Sequence, residues 1–369
     1  MIGAADAVII CVPTPLSDEG GPDLRAVESS ARTVADHLSR DTVVVLESTT
    51  YPGTTDGVML PILEGSGLRH GDDFLLAYSP ERVDPGSQKY GITNTPKLVG
   101  GMTPAATEAA ASFYSRFIDT VVPVAGTKEA ETAKLLENTY RHVNIALVNE
   151  MARFCHDLDI DIWEVIRGAA TKPFGFQKFT PGPGVGGHCI PIDPNYLSYQ
   201  VKKTLGYPFH FVELAQEINS SMPSYVATRV ADLLNEQGKA LNGANILLLG
   251  VTYKPNIADQ RESPAQPVAK ALQDKKADVA FHDPTWTPGI WTPAPWPGCK
   301  TSTPRSRRPT SSSCFSPTSP MTSRTSPPRP KLCSTPAAPS RARASRGSEA
   351  PLLDWHTFRT GSVSDSGAR

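Results

Sequence analysis

The stretch from 181 to 194, PGPGVGGHCIPIDP, holds the residues best suited to chemistry. Glycines and prolines crowd ahead of Cys189, which predicts a rigid loop whose backbone N–H groups approach a ligand closely, with a thiol at its end. Such a thiol can act as a nucleophile, and His188 and Asp193 stand close enough in sequence to handle its protons. Two plainer readings compete: an inert buried thiol and a histidine satisfied within its loop.

The elements around the loop must hold it. From 128 to 158 the chain has no Gly or Pro, and apolar residues recur every three or four positions. This predicts one helix of about 45 Å, long enough to link two domains and to pair with a second copy. Ahead of it, the apolar runs 7–12, 42–46, 74–78 and 121–124 read as strands buried on both faces. They alternate with helical patterns at 24–38, 54–63 and 104–117, so a mostly parallel, doubly wound sheet is expected. After the long helix come a short helical patch near Trp163, the Gly/Pro loop 180–194 and helices at 196–203 and 212–236. A strand at 245–251, a capped helix at 263–274 and a strand at 277–281 then open a second α/β unit. Two strands and a helix are too little for a stable sheet of their own.

A length of 369 residues allows two or three domains. With 39% hydrophobic and 20% charged residues, the chain is neither wholly disordered nor a membrane bundle. No uncharged apolar run nears the roughly 18 to 20 residues of a span, and the start lacks a basic leader region, so a cytoplasmic protein with no membrane partner is expected. The formal net charge of -1 is a cancellation: residues 1–284 hold 24 basic and 34 acidic residues, and 285–369 hold 12 and 3. That final segment is rich in Pro, Ser and Arg without periodicity and reads as a disordered basic tail. A nucleic-acid-binding arm is its functional alternative; an appendage with no nucleic-acid partner is the expectation. Six cysteines without CxxC pairing read as reduced thiols, with no metal site.

The sequence resembles the UDP-glucose/GDP-mannose dehydrogenase family, the nucleotide-sugar 6-dehydrogenases, in the blocks ADAVIICVPTPL, LESTTYPGTT, YSPERVDPG, KLVGG, AETAKLLENTYRHVNIALVNE, GPGVGGHCIPIDP and LLGVTYKPNIADQRESPA, in that order. PFGFQKFTPGPGVGGHCIPIDPNYL looks most like the UDP-N-acetylglucosamine branch, with the UDP-N-acetylmannosamine enzymes next. The resemblance implies an α/β architecture. A partial Rossmann-like NAD domain over 1–127 leads into the long central helix of a helical dimerisation domain, 128–236. An incomplete second Rossmann-like, UDP-binding domain, 243–284, precedes the disordered tail, 285–369. It also implies NAD as cofactor, a UDP-sugar substrate, a homodimer, and two successive oxidations at C6 supplying precursors for polysaccharide.

Carried onto this sequence, the family's nucleophile matches Cys189, which forms a thiohemiacetal and then a thioester. Lys134 and Asn138 match its oxyanion partners, and their i, i+4 spacing places them on one helix face. Asp193 and Glu81 match the carboxylates for proton transfer and thioester hydrolysis, and Thr49 a hydroxyl that positions water. Glu81, Lys134 and Asn138 also count as substrate contacts, with Gly184, Gly186, Gly187 and Lys254; Thr14, Thr49 and Arg261 fall on the cofactor side. Taken alone, these residues read as a solvated helix face, a surface acid paired with Arg82, a strand-end cap and surface cations. No GxGxxG turn precedes the first strand, and the family pattern stops near Pro284. An internal start and a frameshift near codon 284 are the expectations drawn from this. The readings left open are an active UDP-sugar dehydrogenase, an inactive fragment of that family, and a single-step hydroxyacid dehydrogenase.

Overall fold

The computed structural model describes residues 2–17, 21–84, 87, 89–187 and 190–284, together with the backbone of Lys300–Thr301 and Leu352–Leu353. Cys189 and His188 lie outside the described residues, as does nearly all of the expected tail. Strand β1 (Ala7–Ile10), helix α1 (Arg25–Ala35), β2 (Thr42–Leu46), a π-helical turn (Thr55–Met59) running into α2 (Leu60–Glu64), and β3 (Phe74–Tyr78) form the first half of one sheet. β4 (Lys97–Gly101), α3 (Pro104–Tyr114) and β5 (Val121–Pro123) complete it, in the order β1-β2-β3-β4-β5. β1, β2 and β3 pair in parallel, as do β4 and β5, but β3 and β4 run antiparallel through Tyr78 and Gly100. Val44, Leu46, Phe74 and Leu76 bury one sheet face against α1, α2 and the start of the central helix, while Val45, Ala77 and Val99 pack with α3 on the other. Residues buried from both sides give the uninterrupted apolar runs that mark these strands.

Two expectations need correction. β1 ends at Ile10, because the Ser48 side chain takes over the backbone of Val12: its Oγ donates to the Val12 carbonyl (2.7 Å) and accepts from the Val12 N–H (2.9 Å). β4 was not expected as a strand at all. Its Gly100 and Gly101 look like strand breakers, yet a Cβ at Gly100 would stand 2.0 Å from the Gly126 carbonyl, and one at Gly101 2.3 Å from the Thr107 nitrogen. The glycines let neighbouring backbone lie directly on the strand.

The central helix α4 (Thr127–Asp157) runs 31 residues, followed by α5 (Ile162–Ala169), whose first turn is capped by the Asp161 carboxylate. α6 (Asp193–Leu205) begins inside the expected loop and stops at Gly206 in the left-handed conformation. α7 (His210–Glu236) packs along α4 and contains Pro223, which cannot bond the Asn219 carbonyl one turn back. β6 (Asn245–Leu249), α8 (Ala265–Asp274) and β7 (Asp278–His282) form the second sheet unit, with β6 and β7 parallel. The helix starts after Pro264 rather than at Ser263, whose Oγ accepts from the Ala265 N–H (3.3 Å). This unit does not stand alone: Val226, Ala227, Val230 and Leu234 of α7 share a core with Ile246, Leu272, Val279 and Phe281. Two-residue strands β8 (Lys300–Thr301) and β9 (Leu352–Leu353) pair on its two edges. Among the described residues no helix is long and apolar enough to cross a membrane, no group of His, Cys, Asp and Glu could hold a metal, and Cys11 and Cys155 are free thiols.

Candidate active site

The carboxyl ends of β1, β2 and β3 face the N-terminal half of α4 and the first turn of α6, and six of the expected residues, Thr14, Thr49, Glu81, Lys134, Asn138 and Asp193, meet there. Lys134 Nζ donates to the backbone carbonyl of Glu81, in the loop leaving β3, at 2.6 Å. One turn on, Asn138 Nδ2 donates to Asp193 Oδ2 at 2.6 Å. Asp193 opens α6 and is only 4% exposed. Burial pushes its carboxyl up to about 7, against the opposing pull of Lys134 and the Asn138 hydrogen bond. A carboxyl that titrates near neutrality beside an amide and a lysine can accept and return a proton without leaving its place.

Thr14 and Thr49 form a second pair across β1 and β2: Thr14 Oγ1 donates to the Thr49 carbonyl at 2.8 Å. The fully buried Tyr196 of α6 donates through its hydroxyl to the Thr14 carbonyl, which ties this edge to the helix that begins at Asp193. The next residue, Thr50, is fully buried with no hydrogen-bond partner for Oγ1. Glu81 is not paired with Arg82, as the sequence suggested. Arg82 reaches Glu137 on α4 (2.7 Å), while Glu81 Oε1 accepts from the Val83 N–H (2.5 Å) and Oε2 lies 3.7 Å from Lys97.

Lys97 belongs to a cluster that sequence reasoning missed. It pairs with Glu47 Oε1 at 2.5 Å, the Tyr114 hydroxyl donates to the same oxygen at 2.6 Å, and Cys11 Sγ donates to Oε2 at 3.2 Å. Burial works against ionised Glu47, but Lys97 and Tyr114 together hold it below the ordinary range. Burial and Glu47 push the Cys11 thiol up to about 11, so it stays protonated at neutral pH. KLVGG showed a lysine, but nothing in the sequence places it beside Glu47, fifty residues earlier.

The Gly-rich loop is held by the long helices and by the second sheet unit. Its start is held by the fully buried Asn149 of α4, whose Oδ1 accepts from the Gly182 N–H (2.8 Å) and whose Nδ2 donates to Asn219 on α7 (2.9 Å). Gly184, at φ +133°, faces the Asn219 carbonyl, to which Pro223 cannot donate. A Cβ on Gly186 would lie 2.8 Å from the Glu262 carbonyl and 2.9 Å from Tyr253, and one on Gly187, at φ +90°, 2.9 Å from the Tyr253 ring. The Gly187 N–H donates to the Glu262 carbonyl at 3.2 Å. These glycines let the loop press against residues 253–264 of the second sheet unit. Gly186→Ala is therefore expected to destabilise the chain by about 1–3 kcal/mol, whereas Gly57→Ala, with open space around it, leaves the melting temperature near wild type. Thermal denaturation of the two variants checks this.

The remaining two cations are engaged. Lys254 pairs with Asp84, joining the second sheet unit to the loop that carries Glu81. Arg261 pairs with Asp259 at 2.8 Å, a local contact within its own loop rather than with Thr14 or Thr49.

An open sheet with hydroxyls and carboxylates at its strand ends, a long helix presenting a lysine and an amide, and a second parallel sheet unit define an α/β protein of the dinucleotide-binding-domain type. The chain belongs to the UDP-glucose/GDP-mannose dehydrogenase family: residues 1–118 match its NAD binding domain, 128–221 its central domain and 247–292 its UDP binding domain. It is 40% identical over 281 residues to Protein CapL of Staphylococcus aureus, covering 76% of this chain and 66% of that one. It is 35% identical over 278 residues to a UDP-N-acetyl-D-glucosamine 6-dehydrogenase of Pseudomonas aeruginosa, covering 75% and 65%. Among solved structures it resembles a UDP-D-ManNAc dehydrogenase from Pyrococcus horikoshii, with a TM-score of 0.71, 37% identity, and coverage of 76% and 66%. The chain thus spans about 65% of the length of the curated relatives it matches.

The sheet edge fits the cofactor of that family in part. Ligands of open α/β sheets bind outside the carboxyl ends of the strands, where Thr14 and Thr49 lie and where the unpartnered Thr50 hydroxyl offers a free donor and acceptor.

Proposed function

We propose that the chain is an NAD-dependent UDP-sugar 6-dehydrogenase acting on UDP-N-acetylglucosamine or UDP-N-acetylmannosamine, with UDP-glucose a weaker substrate. The reading rests above all on Lys134 and Asn138, one turn apart on α4, engaging the Glu81 loop and the buried Asp193 together. Bound NAD supplies the hydride acceptor for both oxidations. Asp193 takes the proton from the C6 alcohol, and Lys134 and Asn138 stabilise the negative oxygen that develops there. The Cys189 thiolate adds to the aldehyde as a thiohemiacetal, whose oxidation leaves a thioester on the same sulfur. Glu81 then activates the water that hydrolyses the thioester, with Thr49 helping to place it, so that acid is released and the thiol restored. Lys254 and the loop at Gly184, Gly186 and Gly187 flank the UDP-sugar, and Arg261 serves the cofactor side.

The product feeds polysaccharide assembly. Free Cys11 and Cys155 suit a reducing cytoplasm. Incubating the chain with NAD and each UDP-sugar, then reading the sugar by mass spectrometry, tests the proposal: conversion of a primary alcohol to a carboxylate is expected. An unchanged sugar would favour a family member without turnover.

The active form is a homodimer paired through α4. Leu136, Tyr140, Leu147, Phe154 and Leu158 are exposed and follow one another at intervals of four and seven, a single stripe. At about 100° per residue it lies on the side of the helix away from Lys134 and Asn138, so pairing leaves the site open. Leu147→Glu is expected to shift the chain from dimer to monomer in light scattering, with little change in helical signal.

A further inference from the structure

Helix α4 also carries a buried acid that the reaction scheme leaves unused. Glu131 is fully buried, three residues before Lys134 and seven before Asn138, so all three share one helix face. Its Oε2 accepts from the Gly53 N–H at 2.6 Å; its Oε1 accepts from the Thr55 N–H at 3.0 Å and from Thr55 Oγ1 at 2.7 Å. These donors sit on the loop that leaves β2 through Thr49 and Thr50 and closes in the π-helical turn at Thr55–Met59, a form of helix often found beside functional sites. Two further contacts join the same segments: Thr127 Oγ1 donates to Asp56 Oδ1 at 2.6 Å, and Lys128 Nζ lies 3.1 Å from Asp56 Oδ2.

We infer that Glu131 is a positioning residue: its carboxylate, shared among Gly53 and Thr55, sets the loop carrying Thr49 against the helix face carrying Lys134 and Asn138. Its consequence for catalysis rests on the function proposed above; the latch itself does not. Three donors aimed at one carboxylate favour its charge, while burial, foremost, and the neighbouring Asp56 oppose it and push Glu131 up to about 7. Asp56 faces it from the π-helical turn, itself paired with Lys128 of α4, and buried Tyr78 faces it from β3. With its carboxyl raised, the closed loop holds the Glu131 proton more tightly than an opened, hydrated loop does. The loop is therefore held most firmly below neutrality and loosened as pH rises through that value.

Amide hydrogen exchange on the full chain, corrected for the intrinsic pH dependence, reads this without turnover. Protection at Gly53 and Thr55 is expected to be about tenfold higher at pH 6 than at pH 8, with Val44 and Val45 of β2 unchanged. In Glu131→Gln it is flat with pH. Should that variant not fold, Thr55→Val serves instead: one donor fewer to the carboxylate moves the midpoint to higher pH. Flat protection in the wild type, or a midpoint that Thr55→Val leaves in place, overturns the inference. A loop that switches with pH in a chain that makes no NADH supports the latch while overturning the dehydrogenase reading.

Discussion

Asp193→Asn is expected to slow turnover roughly a hundred- to ten-thousand-fold while making the folded chain more stable at pH 8. Both effects follow from one buried carboxyl. The folded state holds the Asp193 proton up to about pH 7, whereas the unfolded chain releases it near the ordinary aspartate value. Between those values the native state binds more protons than the unfolded one, so stability falls as pH rises and levels off once the folded group has ionised. The accumulated cost at pH 8 is on the order of 2–4 kcal/mol. Asparagine carries no charge to desolvate and still accepts from Asn138, so the cost disappears, and with it the proton acceptor. Urea denaturation of both proteins at pH 5 and pH 8 reads the first effect: the gap between them should be small at the lower pH and wide at the higher. Equal stability at both would mean that Asp193 is not held neutral by burial, and its part in proton transfer would lose its basis.

Cys189→Ala is expected to abolish formation of the acid. Oxidation of an alcohol by NAD near neutrality lies toward the alcohol, so without a thiol to capture the aldehyde as a tetrahedral adduct the reaction stalls and NADH does not accumulate. Hydroxylamine separates the two halves of the scheme, because it captures the aldehyde in place of the missing sulfur. With it, the variant should yield one NADH for each UDP-sugar and an oxime; without it, neither. Acid made by Cys189→Ala at the wild-type rate would remove the thiol from the mechanism and favour a direct hydration route.

What the sequence disclosed follows from which contacts are local. The long helix was legible because its determinants repeat within it: no Gly or Pro over the 31 residues 128–158 and an apolar residue every third or fourth. β2 and β3 were legible for the same reason, as short apolar runs buried on both faces. β4 was not, because Gly100 and Gly101 answer to the backbone of Gly126 and α3, which no local pattern shows. At the site, the family blocks disclosed residue types but not their partners. Gly186 and Gly187 also make room for Tyr253 and the Glu262 carbonyl, some seventy residues on, which no local pattern shows. Glu131 has its partners in Gly53 and Thr55, more than seventy residues earlier, which no helical pattern shows. Its titration near neutrality, like that of Asp193, is a property of burial, which single-sequence patterns do not carry.

Counting NADH against limiting UDP-N-acetylglucosamine, run to completion with excess NAD, tests the central claim most directly. Two NADH per sugar is the predicted end point, since alcohol and captured aldehyde each give up one hydride at the same carbon. One NADH per sugar would contradict the thiol-dependent second oxidation and point to a single-step dehydrogenase, and none would contradict turnover by this chain altogether.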